Sequence, residues 1–343
     1  MNITYLLGNG FDLQMGAPTS YKDFYHYLEE KYPNSDTQNG IYLKIFKDKE
    51  DDYTNWSDLE VAIGKYTEQE NIDEQKFLDD YDELVIDLSQ YLKSLQEIYS
   101  SISLSYMTEI FKGTLNRYRA GLSDREADIL RGALWEKYKT EDTVVNFITF
   151  NYTDIFDRLF ERTSGFLEKN DSKAYFLLER PIHIHGTVNR FLTLGVNDEE
   201  QLSSYLSDEA KESLIKPKVL DALGTNIHNE VKTILSKTNL FIVYGMSLGV
   251  TDRSWWNTIA KECLNQDGYI ILHQYDENVD FISPRKTIKA RKEVTQSFLN
   301  RCHTLSQEEK ELLREHIFVA FNETIFVSME LMKVFEEAKK DAL

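Results

Sequence analysis

Five short polar motifs each follow an apolar run, and their residue types suit the binding of a phosphorylated ligand. They are Gly8-Asn9-Gly10-Phe11-Asp12, Asn151-Tyr152-Thr153-Asp154, His185-Gly186-Thr187, Gly195-Val196-Asn197-Asp198 and Gly245-Met246-Ser247-Leu248-Gly249, the last followed by Thr251-Asp252. A glycine turn at the carboxyl end of a buried strand is where α/β proteins hold phosphates and nucleotides. Each motif alone is weak evidence, but the five together predict one ligand site.

Seven short apolar runs must position these motifs. Within each run apolar and polar residues do not alternate, which is typical of a strand buried on both faces. The runs are 3–7, 144–150, 182–184, 191–194, 240–244, 269–272 and 317–321. Helical segments separate most of them, which predicts an α/β, Rossmann-like fold with a mainly parallel sheet flanked by helices. Because the carboxyl ends of parallel strands share one edge, the motifs are expected to line one cleft.

The long stretch between the first two strands reads as helix. Apolar residues recur at three- and four-residue steps over 77–98, which predicts an amphipathic helix. Upstream, "TNWSDLE" at 54–60 offers a Ser or Thr cap followed by acids, a typical helix start. We therefore predict a core formed by 1–44 and 139–343, with 45–138 as a helical insertion or subdomain.

Composition limits the classes of partner. Lys and Arg total 39 against 58 Asp and Glu, and the resulting charge of −19 opposes nonspecific binding of nucleic acid. A basic run at 285–301 is interpreted as a solvated helix face. Cys263 and Cys302 are too few for a four-cysteine zinc site, and no metal is expected. No basic leader and no apolar run of about 20 residues is present, so a cytoplasmic protein without a membrane partner is expected.

Taken in order, "GNGFDLQMGAPTSYKDF", "FITFNYTDIFD", "HIHGTV" and "FIVYGMSLGVTD" resemble the AbiH family of bacterial phage abortive-infection proteins, from residue 3 to about 252. That family in turn resembles the sirtuin-like superfamily of NAD-binding proteins. The sirtuin pattern is matched by Gly8-Asn9-Gly10, by Gly16-Ala17-Pro18, by "TFNYT", by His185-Gly186 and by Gly245-Met246-Ser247-Leu248. The resemblance implies a sirtuin-like core that takes NAD as ligand or substrate.

Departures from known patterns narrow the implied activity. Leu13 stands where the dehydrogenase fingerprint requires its third glycine, so hydride transfer is not expected. Phe11-Asp12 replaces the sirtuin serine region, and Asp154 follows the asparagine one residue late. Without the cysteines of the sirtuin zinc module, protein deacylation is also not expected. Sirtuin-like defence proteins act as NAD hydrolases, and the resemblance implies that activity.

The resemblance also implies roles for residues. His185 would be the general base, because a neutral imidazole accepts a proton near working pH. Asn151 would orient a water or a ribose hydroxyl, since an amide both donates and accepts. Asp12 or Asp154 would stabilise the cationic ribose or bind its hydroxyls. The diphosphate would bind the backbone around Gly8, Asn9, Gly10, Phe11, Gly245, Ser247 and Leu248.

Structural interpretations of the same residues remain open. Asn151 could cap the helix that begins at "YTDIFDRL", and Asp154 could be an acid of its first turn. His183 points to the same face as His185 if 182–184 is a strand, as a partner or as core. Trp56 and Glu60 match a Trp-x-x-x-Glu feature of AbiH proteins, and they would reach the site only if the insertion folds over it.

The leading hypothesis is a phage-defence effector that binds NAD and hydrolyses it to nicotinamide and ADP-ribose. An alternative is a non-catalytic module that binds NAD or ADP-ribose and acts through a partner. A second alternative is a nuclease, which the charge of −19 disfavours. Under the leading hypothesis, the expected partners are an unknown phage trigger, further copies of the same chain or a partner defence protein.

Overall fold

The computed structural model describes residues 1–51, 58–68, 72–99, 107–170, 172–279, 282–326 and 333. Ten strands lie within these residues. They are β1 (Asn2–Leu7), β2 (Thr143–Thr149), β3 (Phe166–Glu168), β4 (Tyr175–Leu178), β5 (Ile182–His183), β6 (Gly186–Thr187), β7 (Phe191–Leu192), β8 (Leu240–Tyr244), β9 (Tyr269–Gln274) and β10 (Ile317–Phe321). Eight of them form one sheet, and β6 pairs with β7 in a separate two-stranded sheet.

The main sheet has the order β10-β9-β8-β1-β2-β4-β3, and β5 pairs with β2 beyond the end of β4. Every pair is parallel except β3 with β4 at the edge. β1 lies in the middle, and the strands that follow it in the chain are added first on one side and then on the other. The strand order therefore reverses between β1 and β8. The predicted α/β class with a mainly parallel sheet is confirmed.

The central strands are buried on both faces, which explains their continuous apolar sequences. In β1, Tyr5 and Leu7 pack into one hydrophobic cluster, while Leu6 packs into a second cluster on the opposite face. Because helices cover both faces of the sheet, its central strands are shielded from water on both sides and can be apolar at successive positions. The strand predictions at 3–7, 144–150, 182–184, 240–244, 269–272 and 317–321 are confirmed to within two residues at each end.

One strand prediction is wrong in its placement. The run 191–194 contributes only β7, which pairs antiparallel with β6 across a tight turn and does not join the main sheet. The motif that begins at Gly195 therefore does not follow a strand of the main sheet. β3 and β4 escaped prediction because they are short and lie at the edge, where buried and exposed residues alternate.

Fourteen α-helices of five or more residues lie within the described residues. They are α1 (Gly10–Gln14), α2 (Tyr21–Lys31), α3 (Gly40–Asp51), α4 (Leu59–Tyr66), α5 (Glu74–Tyr99), α6 (Met107–Asn116), α7 (Asp124–Leu130), α8 (Ile155–Glu161), α9 (Asp208–Leu214), α10 (Lys216–Ala222), α11 (Ile227–Leu235), α12 (Arg253–Asn265), α13 (Pro284–Arg301) and α14 (Gln307–Arg314). After α7, a π-helical turn (Arg131–Trp135) leads into a short helical turn (Glu136–Tyr138). Short 3-10 turns occur at Pro33–Ser35, Glu199–Gln201 and Val250–Asp252.

Helices α1 to α7 fill the connection between β1 and β2, and α3 runs across residue 45, where the insertion was predicted to begin. The amphipathic helix predicted over 77–98 is α5, whose buried stripe includes Leu84, Leu88 and Leu92. The cap of α4 is neither Ser nor Thr, because the Asp58 carboxylate accepts the Val61 N–H over 3.2 Å. Trp56 lies outside the described residues.

The basic run at 285–301 forms most of α13. Four of its cations are exposed, as predicted for a solvated face, namely Arg285, Lys286, Lys289 and Lys292. The other two have structural contacts: Arg291 pairs with Glu126 at 2.7 Å, and Arg301 donates from Nε to the carbonyl of Leu248 over 2.9 Å. Among the helices of the described residues, none combines the length and the apolar character needed to cross a bilayer.

Candidate functional site

A cavity of about 450 Å³ opens at the carboxyl edge of the sheet, where the strand order reverses. Ligand pockets for small molecules usually span about 300–1,000 Å³. The residues of this edge that line the cavity are Gly8, Asn9, Gly10, Asp12, Phe150, Asn151, Tyr152, Thr153, His185, Gly245, Met246, Ser247, Thr251, Asp252, His273 and Gln274. Segments that follow β1, β2, β5 and β8 thus meet at one cavity with the end of β9.

Two glycine turns cross at the base of this cavity. The Gly8 N–H donates to the carbonyl of Tyr244 over 2.9 Å, and the Gly10 N–H donates to that of Gly245 over 2.8 Å. A Cβ on Gly10 would lie 2.6 Å from the Gly245 Cα, and Gly245 itself has a φ of +67°. The Phe11 N–H donates to the Gly8 carbonyl over 2.9 Å. These three amides are already engaged within the protein, so they are not free to bind a diphosphate.

The structure separates the residues predicted to bind the cofactor into two groups. Gly8, Asn9, Gly10, Gly245 and Ser247 line the cavity. Phe11 and Leu248 do not, because both side chains are buried in the hydrophobic core. The Phe11 ring packs edge-on against Phe156 at 5.3 Å, and Leu248 has a φ of +54°.

Asp12 and Asn151 form a buried pair beside the cavity. The Asp12 carboxylate accepts hydrogen bonds from Asn151 Nδ2 over 3.0 Å and from Thr153 Oγ1 over 2.5 Å. Burial raises the pKa of Asp12 to about 7, although both hydrogen bonds act to lower it. The interpretation of Asn151 as a helix cap is wrong, since Asp154 occupies the N-cap position of α8.

His185 lines the same cavity as Asn151. Its Nε2 lies 3.6 Å from Oδ1 of Asp252, and the Phe150 ring packs edge-on against the imidazole at 5.5 Å. Burial, with the nearby Lys216 ammonium, lowers the pKa of His185 well below its usual value, so the ring is neutral at pH 7. The structure therefore brings Asn151, His185 and Asp12 together.

His183 supports Asn151 from outside the cavity. Its Nδ1 lies 2.9 Å from the Asn151 carbonyl oxygen, and its Nε2 lies 2.7 Å from the Asp157 carboxylate. The Asp157 carboxylate raises the pKa of His183, against the effect of burial. His183 is therefore a partner of the loop that carries Asn151 rather than of His185.

Asp154 does not line the cavity. Its carboxylate accepts hydrogen bonds from Arg158 Nε over 2.8 Å and from Asn189 Nδ2 over 3.2 Å. Its backbone N–H donates to the Gln96 side chain over 3.0 Å. Asp154 is the N-cap residue of α8, just before the first turn in which the structural alternative placed it, and its side-chain contacts separate this acid from Asn151 and His185.

A buried charge network of Glu60, Asp252 and Lys216 forms one wall of the cavity, and of these three residues sequence reasoning missed Lys216. Lys216, only 1% exposed, places Nζ 2.8 Å from Oε2 of Glu60 and 3.5 Å from Oδ1 of Asp252. The Tyr152 hydroxyl donates to Oε1 of Glu60 over 3.1 Å. Glu60 lines the cavity, so α4 of the helical segment does reach the site. No motif marks Lys216, because it opens a helix and follows no strand.

Three buried cavity atoms have no hydrogen-bond partner among the described residues: Asn151 Oδ1, Asp252 Oδ1 and His273 Nδ1. Buried polar atoms are normally paired. The two oxygens can only accept, so they match a ligand that carries hydroxyl or amide donors. Burial lowers the pKa of His273 to about 4, which leaves this ring neutral.

The charges at the cavity favour a particular class of ligand. Four carboxylates line it, namely Asp12, Asp58, Glu60 and Asp252, and no Lys or Arg of the described residues does. A hydroxyl-rich or positively charged group suits such a wall, whereas a polyanion is repelled. Across the described ranges, no three His, Cys, Asp or Glu side chains cluster in a way that could hold a metal ion.

The fold and the cavity define an α/β protein with a small-molecule site at the carboxyl edge of a mostly parallel sheet. A family model described as "Bacteriophage abortive infection AbiH" matches residues 4–275. The chain belongs to this AbiH family. No curated protein matches the sequence of this chain.

Proposed function

We propose that this chain is a phage-defence effector that binds NAD and hydrolyses it to nicotinamide and ADP-ribose. The family description supports a role in abortive infection. The resemblance of the glycine, asparagine and histidine motifs to sirtuin-like proteins supports NAD as the ligand. The observation that carries the proposal is that Asn151 and His185, distant in the chain, line one cavity at the reversal of strand order.

Cleavage of the nicotinamide–ribose bond needs little covalent assistance, because nicotinamide leaves from a cationic ring. The transition state is oxocarbenium-like, as in other glycoside hydrolyses. Neutral His185 is in the protonation state that can accept a proton from water or a ribose hydroxyl. The unpartnered Oδ1 of Asn151 can accept a hydrogen bond from the same group and orient it.

The polar atoms of the cavity fit the two ends of NAD differently. Glu60 and Asp252 line the cavity, and under this proposal a carboxylate of this wall would stabilise the positive charge that develops on the ribose. Because the amides of Gly8, Gly10 and Phe11 bond to protein carbonyls, the diphosphate would bind the turn that contains Ser247. The reaction would take place in the cytoplasm, where its substrate is available.

The test is release of nicotinamide from NAD by the purified protein, measured by liquid chromatography, with and without lysate of phage-infected cells. Asn151→Ala and His185→Ala are each expected to abolish release while near-native circular dichroism is retained. His26→Ala serves as the matched control, since this histidine lies on α2 with its side chain 57% exposed.

Calorimetric titration with NAD distinguishes the alternatives. Binding without release, in the presence of infected lysate, would favour a non-catalytic module that acts through a partner. Neither binding nor release under any condition would refute the proposal. A nuclease remains the less favoured reading, because four carboxylates line the cavity and would repel a polynucleotide backbone.

A further inference from the structure

We propose that Lys216 is a positioning residue that keeps Asp252 ionised at the cavity wall, and that Asp252 is the carboxylate that stabilises positive charge on the substrate ribose. This inference rests on the proposed hydrolysis of NAD for the role of Asp252 in catalysis. The effect of Lys216 on the ionisation of Asp252 is a property of the protein without substrate, and it can be tested without any reaction.

The geometry places one buried cation behind two carboxylates. Lys216 is 1% exposed and does not line the cavity, whereas its partners Glu60 and Asp252 both do. The Nζ atom lies 2.8 Å from Glu60 Oε2 and 3.5 Å from Asp252 Oδ1. One ammonium between two carboxylates leaves the group with a net charge of −1, presented toward the cavity.

Glu60 is the more fully satisfied of the two acids. It accepts hydrogen bonds from Lys216 Nζ and from the Tyr152 hydroxyl, at 2.8 and 3.1 Å. By contrast, Oδ1 of Asp252 has no hydrogen-bond partner among the described residues and only ion-pair distances to Lys216 and His185. Asp252 therefore keeps acceptor capacity and negative charge for a ligand, while Glu60 is committed to the protein.

The groups around Asp252 act on its charge in opposite directions. The pKa of Asp252 is raised to about 6, mainly by burial, and the carboxylates of Glu60 and Asp58 also act to raise it. Lys216 lowers it and is the largest of the opposing influences. His185 at 3.6 Å is neutral at pH 7 and contributes no cation there. Ionised Asp252 at neutral pH therefore depends on the ammonium behind it.

The three residues of this charge network come from three separate segments of the chain. Glu60 comes from α4, Lys216 begins α10, and Asp252 ends the 3-10 turn that precedes α12. Lys216 thus ties the helical segment between β1 and β2 to the loop that follows β8. Loss of its charge would alter the cavity wall without removing any atom that lines it.

The central variant is Lys216→Met, with Lys218→Met as the matched control on the same helix, where the side chain is 43% exposed. An opposite charge within about 4–6 Å lowers the pKa of an acid by about 1–3 units. In Lys216→Met the acid limb of the pH profile for nicotinamide release is expected to move upward by about that amount. At pH 7 kcat should fall more than KM changes, and the control should match the parent protein.

A charge-balanced double variant separates electrostatics from packing. Glu60→Gln added to Lys216→Met removes one negative and one positive charge, so the acid limb should return toward that of the parent. A purely structural role for Lys216 predicts no such rescue, and its absence in a folded double variant would overturn the inference. Asp252→Asn should lose kcat in the same assay; full retention of kcat would equally overturn it.

A titration without substrate keeps the two proposals distinguishable. Carboxyl carbons of aspartate labelled with carbon-13 can be followed by NMR against pH, and Asp252→Asn assigns the signal. Lys216→Met should raise the pH at which this signal titrates. An unchanged titration refutes the inference whatever the activity. A shifted titration in a protein that never releases nicotinamide supports the role of Lys216 and refutes the proposed function instead.

Discussion

Asn151 donates from Nδ2 to Oδ1 of Asp12 across 3.0 Å, and this bond fixes which end of its amide is left for a ligand. The nitrogen is committed to the carboxylate, so the unpartnered atom is the acceptor Oδ1. The carbonyl of the same residue lies 2.9 Å from His183 Nδ1. Backbone and side chain are thus held from two sides, which is the preorganisation that a group orienting a water or hydroxyl requires.

Replacement of Asn151 by Ala should therefore lower nicotinamide release by about 100-fold or more, the scale associated with misplacement of a reacting group. Asn265→Ala, at an exposed position near the end of α12, is the control and should leave the rate unchanged. Initial rates at saturating NAD provide the measurement. A rate within twofold of the parent for Asn151→Ala would show that this amide does not act on the substrate.

Asp12→Asn should change how stability depends on pH. Burial raises the folded-state pKa of Asp12 to about 7 from an ordinary value near 4. The folded state then binds more protons than the unfolded state between these values, so stability falls as pH rises through this window. The variant has no titrating carboxyl at this position, so its free energy of unfolding should not fall in this way. Relative to the parent, its free energy of unfolding should increase from pH 5 to pH 8 by a few kcal/mol at most.

Urea unfolding at pH 5, 6, 7 and 8 measures this effect. The decisive quantity is the difference in free energy of unfolding between variant and parent at each pH, which cancels the titration of other groups. A difference that stays constant across this range would contradict the raised pKa. The variant also loses the carboxylate that accepts the hydrogen bonds of Thr153 and Asn151. This loss should shift the free energy of unfolding by a similar amount at all four pH values.

The crossing of the two glycine turns should be intolerant of any side chain. Gly245→Ala places a Cβ 2.6 Å from the Phe11 nitrogen at a backbone φ of +67°. Strain at such a φ and the clash together should cost about 2–4 kcal/mol of unfolding free energy. Gly113→Ala is the matched comparison, since nothing lies within 4 Å of its new Cβ inside α6.

Gly113→Ala should raise the unfolding free energy by about 0.5–1 kcal/mol, because alanine is the better helix former. Thermal and urea unfolding of the two variants beside the parent give the comparison. Similar small effects in both variants would mean that the close approach of Gly245 to Phe11 is not a constraint of the fold.

Asp154→Asn should leave nicotinamide release close to that of the parent. Its carboxylate pairs with Arg158 at the start of α8 and lies outside the cavity. A partly exposed ion pair between residues four apart contributes about 1 kcal/mol or less to stability. A rate that falls as far as that of Asn151→Ala would instead return Asp154 to the catalytic group.

The sheet and part of the site could be predicted because both depend on local pattern. Continuous apolar runs identify strands buried on two faces, and the polar residues that follow them must share an edge. That argument places Asn151, His185, Asp12 and the glycine turns correctly at one cavity. It fails for 191–194, because a two-residue hairpin strand carries too little sequence to reveal its partner.

The remaining residues of the site come from helices, where no such rule applies. Asp58 and Glu60 reach the cavity from the start of α4, and Lys216 reaches its wall from the first position of α10. Helical periodicity indicates which face is buried, but it does not indicate which distant charge will meet it. Lys216 in particular occupies a position that pattern alone would assign to solvent.

The central position of β1 has a consequence for synthesis. β1 leaves the ribosome before both of its neighbours in the sheet, which are β2 at Thr143–Thr149 and β8 at Leu240–Tyr244. Both edges of β1 can therefore be covered only after β8 has been translated. Such long-range pairing slows folding and leaves an apolar strand unpaired in nascent chains. A chaperone that shields the unpaired β1 in nascent chains should accordingly raise the yield of folded protein.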